Sequence, residues 1–153
     1  MEKLKCSSCA EKGRPDPSPV ATLHTPSIPF HTLGIDLKEA SHQGQKYKYL
    51  VMVDEATRLT RCILIWVIRD KEHRNVTTAE VIKAYEEYWE ELFGAPKVLH
   101  HDPEGALVSN QAMQIFADKG IKLDAAAGES HWQLGIVERM IATIFNSAER
   151  IAN

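Results

Sequence analysis

The chain has 153 residues, 44% of them hydrophobic and 25% charged, with a formal net charge of -3, the composition of one globular domain with one core. Its longest apolar run, Cys62 to Ile68, is seven residues, far below the roughly 20 that cross a bilayer, and no N-terminal run resembles a signal peptide. The reading is therefore no membrane association and no secretion. The net charge excludes a strongly basic nucleic-acid module, while leaving open an acidic site that reaches DNA through bound metal.

Five of the seven prolines fall between Pro15 and Pro29. Proline fixes φ and biases its predecessor away from helix, so 15–29 reads as an extended linker and the compact domain starts near Phe30. Short β-branched or aromatic runs at Phe30–Leu37, Tyr47–Val53 and Cys62–Ile68, the first two separated by the turn cluster Ser41–Gln45, predict an antiparallel meander. Cys62 reads as a small buried hydrophobe, and three cysteines are an odd number, which argues against a disulfide scaffold. A helix is expected from about Thr78, with Thr77 and Glu80 at capping-box spacing, Val81, Ala84 or Tyr85, Tyr88 and Leu92 on its apolar face, and Gly94-Ala95-Pro96 as its stop. Lys97–His101 follows as a strand, Asn110–Lys119 as a helix capped by Ser109 and stopped by Gly120, Ile121–Ala125 as a fifth strand, and Ala126–Gln133 as a loop. The last helix is expected from about Gly135, with Val137, Ile141, Ile144, Ala148 and Ile151 on one face. Three strands followed by helix, strand, helix, strand, helix predict an α/β three-layer domain with a mixed five-stranded sheet.

On this map Asp36 lies near a strand end, Asp102 directly after a strand, and Glu138 in the first turn of the last helix. Acids at such ends can converge on one sheet edge, where α/β folds place their sites. Three convergent carboxylates suit two hard cations such as Mg²⁺. Each acid also has an ordinary reading, as a strand-end charge, a turn former before proline, and a favourable helix-start acid. Between Asp36 and Asp102 lie 65 residues, and between Asp102 and Glu138 lie 35.

With that spacing the chain resembles the catalytic core of a retroviral or long-terminal-repeat retrotransposon integrase. The stretches that carry the resemblance are His31-Thr32-Leu33-Gly34-Ile35-Asp36-Leu37, Lys48 to Arg58, Gly94-Ala95-Pro96-Lys97, and His131-Trp132-Gln133-Leu134-Gly135-Ile136-Val137-Glu138-Arg139. The resemblance implies a ribonuclease H-like fold with strand order 3-2-1-4-5 and a site for two Mg²⁺ or Mn²⁺ ions, Asp36 bridging both, Asp102 completing one and Glu138 the other. It further implies a DNA strand transferase with endonuclease activity, acting on retroelement DNA ends and target DNA, working in the nucleus and otherwise cytoplasmic, and a homo-oligomer in full-length form. Residues 30–153 are read as this core, truncated at the C-terminus. Residues 1–14 are read as the remnant of an N-terminal zinc-binding domain. Cys6 and Cys9 have half a zinc-site spacing, but no histidine pair precedes them, so zinc is not expected in this chain alone.

The sequence departs from the family in several places. Asp102-Pro103-Glu104-Gly105 replaces the usual Asp-Asn-Gly, Leu134 stands where Asn or Gln is common, and Ala142 and Phe145 stand where retroviral enzymes carry DNA-gripping lysines. Lys38, Arg139 and Trp132 are the remaining candidates for DNA contact, each also explicable as a surface charge or, for Trp132, as a packed aromatic. Asp54 is read as a strand-end residue supporting Arg58, and at most one of His100 and His101 faces the site. The rival readings are a related cut-and-paste transposase and an inactive or domesticated fragment that keeps the fold and weak nucleic-acid binding.

Overall fold

The computed structural model describes residues 27–68, 75–102, 106–125 and 131–152. The expectations for residues 1–26, including Cys6 and Cys9, and for Pro103, Glu104 and Gly105 lie outside the described residues. For Trp132 the backbone alone is described.

Strands β1 (Thr32–His42), β2 (Gln45–Asp54) and β3 (Thr60–Ile68) form the antiparallel meander. The β1–β2 turn is tighter than the cluster Ser41–Gln45 suggested. Gln43 and Gly44 both take positive φ, 49° and 77°, the two-residue geometry that matches the twist of a hairpin, so both strands extend by several residues. Strands β4 (Val98–His101) and β5 (Lys122–Ala125) add in parallel, giving the order β3-β2-β1-β4-β5.

Helices cover both faces. Helix α1 runs through Thr78–Tyr85, Glu86–Glu90 and Glu91–Phe93, its middle five residues wound as a π-helix, and α2 spans Asn110–Asp118. Both pack on one face, where Leu33, Ile35, Leu50, Met52 and Leu99 meet Val81, Tyr85, Trp89, Ala112 and Phe116. Helix α3 (His131–Ala152) lies on the other, with Val137 and Ile141 against Val51 and Val53. Alternation along β2 (Leu50 and Met52 one way, Val51 and Val53 the other) is what a strand buried on both faces requires.

The expected caps are present. Thr77 and Glu80 form the full capping box, Ser109 Oγ accepts from the Ala112 N–H at 3.2 Å, and Gly94 and Gly120 follow their helices at φ 82° and 71°. Three expectations are corrected. The apolar face of α1 continues through Tyr85, Trp89 and Phe93, with Leu92 55% exposed, because the wider π turn returns to one face after four to five residues. Cys62 is exposed. It sits on edge strand β3, on the face it shares with Leu64, which α3 leaves uncovered while packing over β1, β2 and β4. Helix α3 begins at His131, so Glu138 lies in its second turn and Gly135 is internal. An internal glycine costs about 1 kcal/mol, too little to stop a helix whose apolar face is anchored on a sheet.

Candidate active site

The sheet brings the three acids together by register. Gly34 pairs with His100 and Ile35 with His101 across β1 and β4. The next step sets Asp102, just past β4, beside Asp36. By alternation Asp36 shares a face with Gly34, the face that Val137 of α3 covers, and Glu138 is the next residue along that helix.

Two clefts meet at Asp36. One, of about 590 Å³, is lined by Asp36, Lys38, Lys48, Asn75, His101 and Asp102 among others. The second, of about 500 Å³, includes Asp36, Lys38, Glu138, Ala142, Phe145 and Asn146. Asp36 is half-buried while Asp102 and Glu138 are exposed. Burial pushes the Asp36 carboxyl above its ordinary range. The neighbouring carboxylates of Asp102 and Glu138 push the same way, against the Leu37 backbone N–H and the Lys38 ammonium.

This donor set has the chemistry that divalent cations take. All three groups are carboxylates, the ligands of hard ions, and their mutual repulsion is what bound positive charge relieves. Among the described residues no three His, Cys, Asp or Glu side chains surround one point. Asp36 and Asp102 line one cleft, and Asp36 and Glu138 the other.

Lys38 is exposed on β1 and lines both clefts. Arg139 is exposed beside Glu138, and Trp132 belongs to the first turn of α3. Ala142 and Phe145 line the second cleft, as their turns beyond Glu138 imply. The two histidines divide between faces. His101 faces the first cleft, its Nδ1–H donating to the Asp102 carbonyl at 2.9 Å, whereas His100 points to the α3 side.

Asp54 ends β2 and supports Arg58 as expected, its backbone carbonyl accepting from the Arg58 N–H at 2.9 Å. Its buried carboxylate accepts from Phe30 N–H at 2.9 Å, Thr57 N–H at 2.8 Å and Thr57 Oγ1 at 2.6 Å. The Arg58 guanidinium reaches the Glu55 carbonyl, at 2.6 Å. Phe30, just before β1, is thereby tied to the end of β2, and its ring stacks on Phe93 at 5.4 Å.

Sequence reading missed Glu55. It is 3% exposed, and its Oε1 shares a 2.5 Å hydrogen bond with His100 Nδ1, while His100 Nε2 lies 3.7 Å from Asp124 Oδ2. The network ties the β2 end to β4 and β5, with His100 two residues before Asp102. The available signal was an acid directly after a buried strand, Val53-Asp54-Glu55, where burial demands a partner.

The fold is that of retroviral integrase catalytic cores, ribonuclease H-like with this five-strand order. The human T-lymphotropic virus 2 (HTLV-2) integrase catalytic core domain in complex with magnesium matches in its dimeric form at 22% identity and TM-score 0.60, over 78% of this chain and 70% of that one. Its trimeric form matches at 24% identity and TM-score 0.60, over 78% and 69%. The simian T-cell lymphotropic virus intasome in complex with PP2A regulatory subunit B56 gamma matches at 17% identity and TM-score 0.66, over 90% of this chain and 46% of that one. No protein-family model and no curated protein matches the chain.

Proposed function

We propose that the chain is the catalytic core of a long-terminal-repeat retroelement integrase, a polynucleotidyl transferase that processes the 3′ ends of element DNA and joins them to target DNA. The observation that carries this reading is the placement of Asp36 where two clefts meet, with Asp102 in one and Glu138 in the other. Asp36 would bridge two Mg²⁺ or Mn²⁺ ions, Asp102 would complete one and Glu138 the other. When bound, such ions activate the attacking oxygen and stabilise the leaving one. The chain's own residues hold the geometry: β1 and β4 fix Asp36 against Asp102, and α3 delivers Glu138. Lys38 and Lys48 line the groove beside the acids and suit a phosphodiester backbone. On this reading the partners are element ends and chromosomal DNA, the active form is an oligomer, and the place of action is the nucleus.

The test is nicking or joining of DNA ends with Mn²⁺. Asp36→Asn, Asp102→Asn and Glu138→Gln should each reduce activity to background without unfolding the chain, and double substitutions should cost no more, because any one disables the same unit. Asp54→Asn should leave the chemistry intact and lower stability, since Asp54 holds a turn. Activity that survives Glu138→Gln would refute the assignment of the third acid. A second reading, a fragment that keeps the fold without catalysis, is favoured by the apolar Ala142 and Phe145 beside Glu138. Full metal binding with no nicking at any Mn²⁺ concentration would select it.

A further inference from the structure

Gly34 is the third residue of β1, buried, and paired on both sides, to Val53 of β2 and His100 of β4. Its backbone does not need glycine, for it is not among the residues of positive φ. A glycine inside a strand weakens it, and often marks a place where another element approaches closely. That element is α3. A Cβ on Gly34 would overlap Val137 Cγ2, and would lie 3.7 Å from Val137 Cβ and 3.6 Å from Glu55 Oε1. Val137 is fully buried among Val51, Val53 and Ile141, and a valine in a helix has one strongly preferred χ1. Turning the methyl away would put a fully buried valine in a disfavoured χ1, so relief comes at the helix.

We infer that Gly34 is a positioning residue: its missing side chain sets the β1–α3 separation that brings Glu138 to Asp36. Asp36 is two residues along the strand from this contact and Glu138 one residue along the helix. Any side chain at 34 lifts α3 and carries Glu138 away. The Asp36–Asp102 pair is untouched, because β1–β4 pairing holds it independently of α3. The inference rests on the proposed metal site for its consequence, and on packing alone for its cause.

Gly34→Ala, Val137→Ala and the double variant separate the two. In Mn²⁺ calorimetry the unsubstituted chain should bind two ions. Gly34→Ala should keep the ion held by Asp36 and Asp102 and bind the second at least tenfold more weakly. The double variant, whose smaller residue at 137 makes room for the new methyl, should recover the second ion to within about threefold. A residue that mattered for stability alone would lower the melting temperature and leave both affinities of the folded protein unchanged. Melting in chelator gives a metal-free reading: the double variant should melt above Gly34→Ala alone, although each single change is destabilising. Gly34→Ala binding both ions like the parent overturns the inference, as does a double variant that melts no higher than Gly34→Ala. If Gly34→Ala does not fold, the double must, and its failure counts the same way. Absence of Mn²⁺ binding by the unsubstituted chain would sink the proposed function instead, and the melting cycle would still decide the packing.

Discussion

Asp36 carries opposed demands. As the carboxylate at the junction of the two clefts it must be ionised to bind a cation. Its own surroundings disfavour that charge, through burial first and then through Asp102 and Glu138. The sign follows from linkage: a carboxyl raised above its unfolded value favours folding when protonated, and that advantage is lost as pH rises through the raised value. At neutral pH without divalent ions, the ionised Asp36 therefore costs stability. Asp36→Asn should raise the melting temperature at pH 7 in chelator, and the gain should vanish as pH falls below about 4, the unfolded carboxylate value. Mn²⁺ should reverse the order. At 100 times its dissociation constant one bound ion adds about 2.7 kcal/mol, or about 5–11 °C at about 2–4 °C per kcal/mol for a chain of this size, and Asp36→Asn should forfeit it. Melting curves at two pH values, with chelator and with Mn²⁺, check all of this. An Asp36→Asn variant less stable than the parent in chelator at pH 7 would mean that the carboxylate is satisfied by partners other than a cation.

At the scale of elements, the three helices hold the acids in place without contributing equally. The start of α1 is defined by Thr77, whose side chain accepts from the Glu80 N–H while Glu80 Oε2 accepts from the Thr77 N–H at 2.9 Å. Thr77→Ala should cost about 1 kcal/mol and lower the melting temperature by about 2–4 °C, with no change in Mn²⁺ affinity, because Thr77 lines neither cleft. Features of this kind were legible in the sequence, because a cap, a stop glycine or an alternating strand is written in residues a few positions apart. The spacing of the three acids was legible for a different reason, namely resemblance, and register explains why it works: parallel pairing of β1 with β4 fixes which residue stands beside Asp36. What stayed hidden depends on contacts or winding that no short window contains. The π turn at Glu86–Glu90 brought Trp89 and Phe93 onto the buried stripe with Tyr88 and left Leu92 exposed. Cys62 was misplaced because edge position is a property of the sheet. The Glu55–His100 bond joins residues 45 apart, and the Gly34–Val137 contact crosses from the first strand to the last helix.

The whole molecule joins the fold of integrase catalytic cores to an acidic balance, net -3, and under the proposed function that combination limits how it would hold DNA. Among the described groove residues the cations beside the acids are Lys38 and Lys48, with Arg139 exposed next to Glu138. The turns beyond Glu138 present Ala142 and Phe145 in place of further positive charge. Each phosphate neutralised by a basic side chain releases condensed counterions, so the logarithm of affinity falls with the logarithm of salt by about 0.9 per contact. About two to three contacts predict a slope of about -2 to -3 and affinity in the weak, sequence-independent range of about 10⁻⁴ to 10⁻⁶ M near physiological salt. Divalent metal should strengthen binding, since without it three carboxylates face the phosphates, and Asp36→Asn should lessen that dependence. Fluorescence anisotropy of a labelled duplex across a salt series, with Mn²⁺ and with chelator, reads slope and affinity together. A slope of about -6 or steeper would show that most of the grip lies outside this groove. Tight binding indifferent to metal would show that DNA does not lie over the acids at all.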